Sequence, residues 1–201
     1  MIETYAVAAS QDGVSGEYRQ LLYWTLGDCS ARPILIQALA IPLVIVPGAG
    51  FLLFAIYAGR LPGTFSLSIA QAAAIIPGIV ALVILHEAVH GLMMRLYGAR
   101  PQYGVLWKQL MFYATSPGYA FRRNSYILIA LAPLLVVSGL AVLGVFLLQG
   151  TQWLWLLILL FTFNAGGSSG DLWMVFTVLR HHKTAYVVDE RDGIRVLMRP
   201  A

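Results

Sequence analysis

Charge is the scarcest commodity in this sequence. Charged residues make up 11% of its 201 positions, less than half the roughly 25% of an ordinary soluble domain. Hydrophobic residues reach 59%, and the mean hydropathy is +0.76. That balance excludes a water-soluble globular domain and indicates an integral membrane protein. Cysteine is nearly absent: Cys29 stands alone, so no internal disulfide can form. Residues 1–33 lack a basic head followed by a short apolar core and carry Glu3, Asp12, Glu17 and Asp28 instead. No cleavable signal peptide is expected there, so the first span serves as the insertion signal. Repeats and low-complexity tracts are missing too, and the length suits one compact bundle. The net charge of +4 is modest, and nothing points to a nucleic-acid partner.

What is present is four long apolar runs, roughly 34–58, 68–97, 125–149 and 152–179. Each exceeds the ~20 residues a helix needs to cross about 30 Å of hydrocarbon. Backbone groups in lipid must be satisfied within the segment, so the runs are expected to be helices. Pro42, Pro47, Pro77 and Pro133 inside them predict kinks, not breaks. Four spans put both termini and the loop 98–124 on one side. Of the 13 Lys and Arg residues, all but Arg60 fall on that side or at its membrane edge. The positive-inside rule makes that side the cytoplasm. The expected location is the prokaryotic inner membrane, multi-pass, with both termini cytoplasmic.

The loop 98–124 is not simple polar coil. From Pro101 to Thr115 it is rich in aromatic and β-forming residues, and Ser116-Pro117-Gly118 signals a turn. A hairpin or a re-entrant element at the membrane surface is expected. The tail predicts a short strand at Ala185–Val188, a turn at Asp192-Gly193 and a second strand at Ile194–Met198. The expected fold class is all-α integral membrane: a bundle of four transmembrane helices with a short hairpin-like or re-entrant loop. The expected division is a cytoplasmic N-terminal segment 1–33, a four-helix membrane domain 34–180 and a cytoplasmic tail 181–201.

Burying a charge in a bilayer is expensive, so an ionisable group inside a span is a functional candidate. Of nine acidic residues only Glu87 and Asp171 fall within spans, and of four histidines only His86 and His90. His86-Glu87-Ala88-Val89-His90 reads H-E-x-x-H. On a helix, residues four apart share a face, so both imidazoles can address one metal ion while Glu87 acts on a water activated there. His90 lies seven residues before the end of its span and Asp171 nine before the end of its own. At 1.5 Å per residue these are depths of roughly 10 and 13 Å. Asp171 therefore falls between the two imidazoles in depth and is the expected third ligand. A capping or helix-packing acid is its bland alternative. His181 and His182 lie past the basic end of the last span and read as interfacial.

Asp171 is preceded by Asn164-Ala-Gly-Gly-Ser-Ser-Gly170. Three glycines in mid-span loosen a helix and admit backbone, water or substrate. Gly166 and Gly170 also form a small-xxx-small pair suited to close helix packing. Asn164, two turns above Asp171, is a candidate substrate or oxyanion contact, with an interhelical hydrogen bond as its plain alternative. Gly167-Ser168-Ser169-Gly170 also fits the G-x-S-G pattern of rhomboid serine proteases. That chemistry lacks its His on a later span here and leaves Glu87 and the spaced histidines unexplained.

The layout resembles the site-2-protease type of intramembrane zinc metalloprotease, in which H-E-x-x-H lies near the cytoplasmic end of one span and an Asp two spans later is the third ligand. The chain departs from that class in having Leu172 after Asp171 where Gly is usual, and no PDZ domain. It is more similar to the zincin-peptidase family DUF3267, on His86–Gly91, Ser116–Gly118, Ala132-Pro133 and Ser169–Asp171, over about residues 75–180. The resemblance implies a peptidase that holds one Zn²⁺ through His86, His90 and Asp171, with Glu87 as general base and Asn164 handling substrate.

The expected function is intramembrane proteolysis of membrane-protein or membrane-peptide substrates by zinc-activated water. The alternative is a metal-binding membrane carrier or sensor without proteolytic activity. A carrier usually spreads polar groups along a path through the membrane, whereas these cluster at one depth. A structural membrane subunit, the third reading, predicts no stoichiometric metal.

Overall fold

A computed structural model describes residues 3–13, 15–25, 31–107, 111–191 and 193–199, except for the side chains of 31–37 and 111. Cys29 and the first half of the Asp192-Gly193 turn fall outside that description. In chain order the elements are β1 (Thr4–Val7), β2 (Ala9–Ser10), β3 (Gly16–Thr25), α1 (Ala31–Tyr57), α2 (Ile69–Leu96), β4 (Gln102–Leu106), β5 (Met111–Thr115), β6 (Tyr119–Arg122), α3 (Arg123–Leu147), α4 (Trp153–Gly167), α5 (Ser169–Leu179), β7 (Tyr186–Glu190) and β8 (Gly193–Met198).

Four helical stretches are long and apolar enough to cross a membrane: Ala38–Tyr57, Ile69–Leu96, Arg123–Leu147 and Trp153–Leu179. Pro42, Pro47, Pro77 and Pro133 all lie inside continuing helices. Large apolar side chains remain uncovered along them, Ile69 at 90% and Leu147 at 73% exposure. Such surfaces are compatible with lipid and would be a liability in water. The last stretch is not one helix. The glycine run closes α4 at Gly167, and the Ser168 N–H turns back to the Asn164 and Gly166 carbonyls. The chain restarts at Ser169, which puts Asp171 in the first turn of α5. A carboxylate there complements the positive end of the helix dipole.

The all-α expectation is overturned. Among the described residues there are eight strands, six of them in one sheet of order β1-β3-β8-β7-β6-β2, with β4 and β5 in a sheet of their own. β1 and β2 stand at opposite ends of that order, yet only Ala8 separates them in the chain. The six-stranded sheet is therefore nearly closed. The tail supplies its middle: β8 pairs antiparallel with β3 from Arg19↔Met198 to Thr25↔Gly193, and β7 pairs with β8 and β6. Three of the strands, β1, β2 and β3, lie in the N-terminal segment 1–33, for which no strand is expected from the sequence. Its β-forming run Glu17-Tyr-Arg-Gln-Leu-Leu-Tyr-Trp24 pairs with nearby β1 on one side and with β8, some 170 residues on, on the other, and no local pattern reveals the second pairing.

The chain divides into two compact units. The first comprises Met1–Ile34, Glu87–Ala132 and Gly170–Ala201, and the second Leu35–His86 and Pro133–Ser169. The first holds all the strands and a core of Val7, Tyr18, Ala120, Val188 and Leu197. The second is helical, with a core of Phe51, Ala55, Ala141, Val145, Leu154 and Phe161. Phe51 and Phe161 stack there with centroids 4.2 Å apart, a contact worth about 0.5–1.5 kcal/mol beyond its buried area. α1 and α4 approach closely enough that a Cβ on Gly166 would meet Val44 Cγ2 at 2.5 Å, and one on Gly48 would meet Thr162 Oγ1 at 2.8 Å.

Candidate metal centre

α2 carries His86, Glu87 and His90 on one unbroken helix. It ends after Leu96 because Gly98 adopts φ +88°, letting the Gly98 and Ala99 N–H groups bond back to the Arg95 and Met94 carbonyls. His90 is 8% exposed and Asp171 9%. His90 Nε2 lies 3.3 Å from Asp171 Oδ1. Its other nitrogen, Nδ1, lies 3.0 Å from the carbonyl oxygen of Ile129 on α3. A carbonyl only accepts, so Nδ1 carries the hydrogen, and the Nε2 lone pair faces the carboxylate. Two acceptors at that separation call for a proton or a cation between them.

His86 is held in the same way. Its Nδ1 lies 3.1 Å from Asn164 Oδ1, an acceptor, so Nδ1 again carries the hydrogen. One ligand atom from each of His86, His90 and Asp171 lies within 4.8 Å of the others. Donors of a tetrahedral zinc site, with bonds of about 2.0–2.1 Å, stand roughly 3.3 Å apart. The chemistry of the donor set therefore fits zinc: two neutral imidazoles keyed by carbonyl partners, and one carboxylate at the right spacing.

Glu87 follows His86 directly and is half-buried. Asn164 is 3% exposed; its oxygen is engaged on His86, while its Nδ2 is buried without a hydrogen-bond partner. His181 and His182 lie beyond α5, bonded to the Thr177 carbonyl at 3.1 Å and Thr184 Oγ1 at 2.8 Å, and neither enters the metal group. Ser168 is fully buried, and its hydroxyl donates to the Asn164 carbonyl at 3.0 Å; Ser169, the serine of the G-x-S-G pattern, opens α5.

Gly91 follows His90 directly. A Cβ at that point would collide with the ring and hydroxyl of Tyr103 on β4. The β4–β5 hairpin thus rests against the ligand-bearing turn of α2. Its strands run antiparallel from Gln102↔Thr115 to Leu106↔Met111.

The sequence did not point to three contributors around the site. The Ile129 carbonyl is main chain and leaves no compositional trace. Tyr126 looks like an interfacial aromatic at the start of a span. Asp189 sits among Glu190, Arg191 and Asp192 and reads as a solvated charge cluster, yet it accepts a 2.8 Å hydrogen bond from buried Tyr126.

No curated protein and no solved structure matches the chain. A family match does exist: residues 79–186, which carry the two histidines, Glu87 and Asp171, match DUF3267, described as "Putative zincin peptidase". That match spans more than half of the chain, and the protein belongs to this zincin-peptidase family.

Proposed function

We propose that the protein is an intramembrane metalloprotease that cuts membrane-anchored or membrane-embedded polypeptides near the cytoplasmic face. The observation that carries this reading is the pairing of a buried His90–Asp171 contact with two imidazoles whose Nδ1 atoms are both committed to carbonyl oxygens. Zinc would be held by His86, His90 and Asp171. When bound, it supplies Lewis acidity that lowers the pKa of a water toward about 7 and polarises a scissile carbonyl.

The chain's own residues do the rest. Glu87 takes the proton from the attacking water and passes it to the departing amine. Asn164 orients His86 through its oxygen and keeps an uncommitted Nδ2 donor for the substrate backbone or the developing oxyanion. A substrate helix hides its carbonyls in its own hydrogen bonds, so the scissile segment must be extended. The β4–β5 hairpin, braced at Gly91, supports an edge for strand addition. Water enters where the helix is interrupted at Ser168; Gly167 and Gly170 have open space where side chains would stand.

Sidedness has its own support. Strands from the N-terminal segment, the 98–124 loop and the C-terminal tail share one sheet, as they must if an even number of spans returns all three to the same face. The basic residues make that face cytoplasmic.

The test is Glu87→Gln in the full chain, reconstituted in lipid with a membrane-peptide library. The variant should keep stoichiometric zinc in elemental analysis and lose turnover by about 10²–10⁴-fold. A carrier or sensor would show no proteolysis in either form. A structural subunit would show no stoichiometric metal.

A further inference from the structure

Asp189 is a carboxylate that the proposed reaction does not use. It lies on β7, outside the stretch matched by the family. Its Oδ2 accepts a 2.8 Å hydrogen bond from the hydroxyl of Tyr126, a residue only 1% exposed. The same hydroxyl lies 3.4 Å from Met174 Sδ on α5. Thr115, at the end of β5, donates to the Asp189 carbonyl at 2.7 Å. Four elements of the first unit, α3, α5, β5 and β7, therefore meet at Tyr126 and Asp189.

What makes the convergence consequential is helical spacing. Tyr126 stands three residues before Ile129 on α3, so both belong to the same turn. Ile129 contributes the carbonyl that holds His90 Nδ1. Met174 stands three residues after Asp171 on α5, again on adjacent positions of one face. A single hydroxyl thus touches the turn that orients one ligand and the turn that carries another. Its freedom to rotate is removed by a buried carboxyl oxygen that accepts its hydrogen. Outer partners of this kind fix ring orientation and ligand spacing, and removing one typically costs 10–100-fold in metal affinity.

We propose that Tyr126 and Asp189 form a positioning pair that sets the His90–Asp171 spacing for the metal, so that strand β7 is part of the metal centre and not an appendage to it. The inference rests on the metal-site reading above. Neither residue touches the metal or the substrate; both act through α3 and α5.

The experiment measures zinc affinity of the full-length, detergent-solubilised chain by competition with a chromophoric chelator, together with the visible spectrum of the cobalt-substituted protein. Tyr126→Phe and Asp189→Ala should bind zinc at least about tenfold more weakly and shift the cobalt bands. Asp189→Asn keeps an oxygen that accepts from Tyr126 and should stay close to the wild type. Tyr5→Phe removes a different hydroxyl of the same unit, one bonded to Glu190 Oε1 at 3.0 Å, and should leave affinity and spectrum unchanged. Circular dichroism checks that each variant is folded; if Asp189→Ala is not, Tyr126→Phe carries the test. Wild-type affinity and spectrum in folded Tyr126→Phe overturn the pair, as does an equal loss in Tyr5→Phe, which would mean general loosening. A wild-type chain that binds no metal sinks the metal-site reading and this inference with it, whereas a wild-type chain that binds zinc beside unaffected variants overturns this inference alone.

Discussion

His90 offers Nε2 to Asp171 because its Nδ1–H is committed to a main-chain carbonyl 3.0 Å away, and His86 is held likewise by Asn164. At this scale the physics is one of tautomers and desolvation. Asp189 shows the second of these. Burial pushes its carboxyl up from 3.8 to about 7, against the opposing pull of the Tyr126 and Thr115 hydrogen bonds. A carboxyl with a raised folded-state pKa binds its proton more tightly when folded. Its contribution to stability is complete below the unfolded value of 3.8 and is lost as pH rises toward about 7. In metal-free protein, the melting temperature of Asp189→Asn relative to the wild type should therefore climb between those two pH values and level off above them. Thermal melts of both forms across that range are the check, and a difference independent of pH contradicts it.

Among the elements, the interruption between α4 and α5 decides most. The glycines there do two separate jobs. Gly166 is a packing residue, since any Cβ would press on Val44 Cγ2 at 2.5 Å. Gly167 and Gly170 face open space and serve the break itself. Gly166→Ala should cost about 1–3 kcal/mol through overpacking. Gly170→Ala should be neutral, or stabilising by up to about 1 kcal/mol, because alanine is the better helix former. Denaturation of the two variants in matched detergent separates them, and equal losses would mean that the glycines share one role. Much of this was legible beforehand. The mid-span glycine run predicted a loosened helix, and the hydrophobic runs predicted four spans. The small-xxx-small pairing of Gly166 with Gly170 was not what packing selected, because which glycine meets a neighbour depends on the rotation of α4 against α1.

For the whole molecule, the strands of the C-terminal hairpin are expected from the sequence, and their pairing with the N-terminal segment is not. β8 and β7 occupy the middle of the six-stranded order, so removing them leaves β3 without β8 and β6 without β7 and opens the core around Val188 and Leu197. A chain ending before Tyr186 would retain all four long apolar helical stretches and nearly all of the family-matched stretch. It should nevertheless be degraded or protease-sensitive on the side of its termini. Limited proteolysis of membranes carrying full and shortened chains is the measurement, and equal resistance would show that the sheet is dispensable. Reporter tags at the two termini should label from the same side of the membrane.

Local chemistry was enough to mark the four long apolar helices, the H-E-x-x-H turn and the buried acid at Asp171, because hydrophobic length and helical spacing act over a few residues at a time. It was not enough for the sheet, the Ile129 carbonyl or the Tyr126–Asp189 contact. Those depend on main-chain atoms and on pairings between segments more than 60 residues apart, whose free energy exists only once the chain has closed on itself.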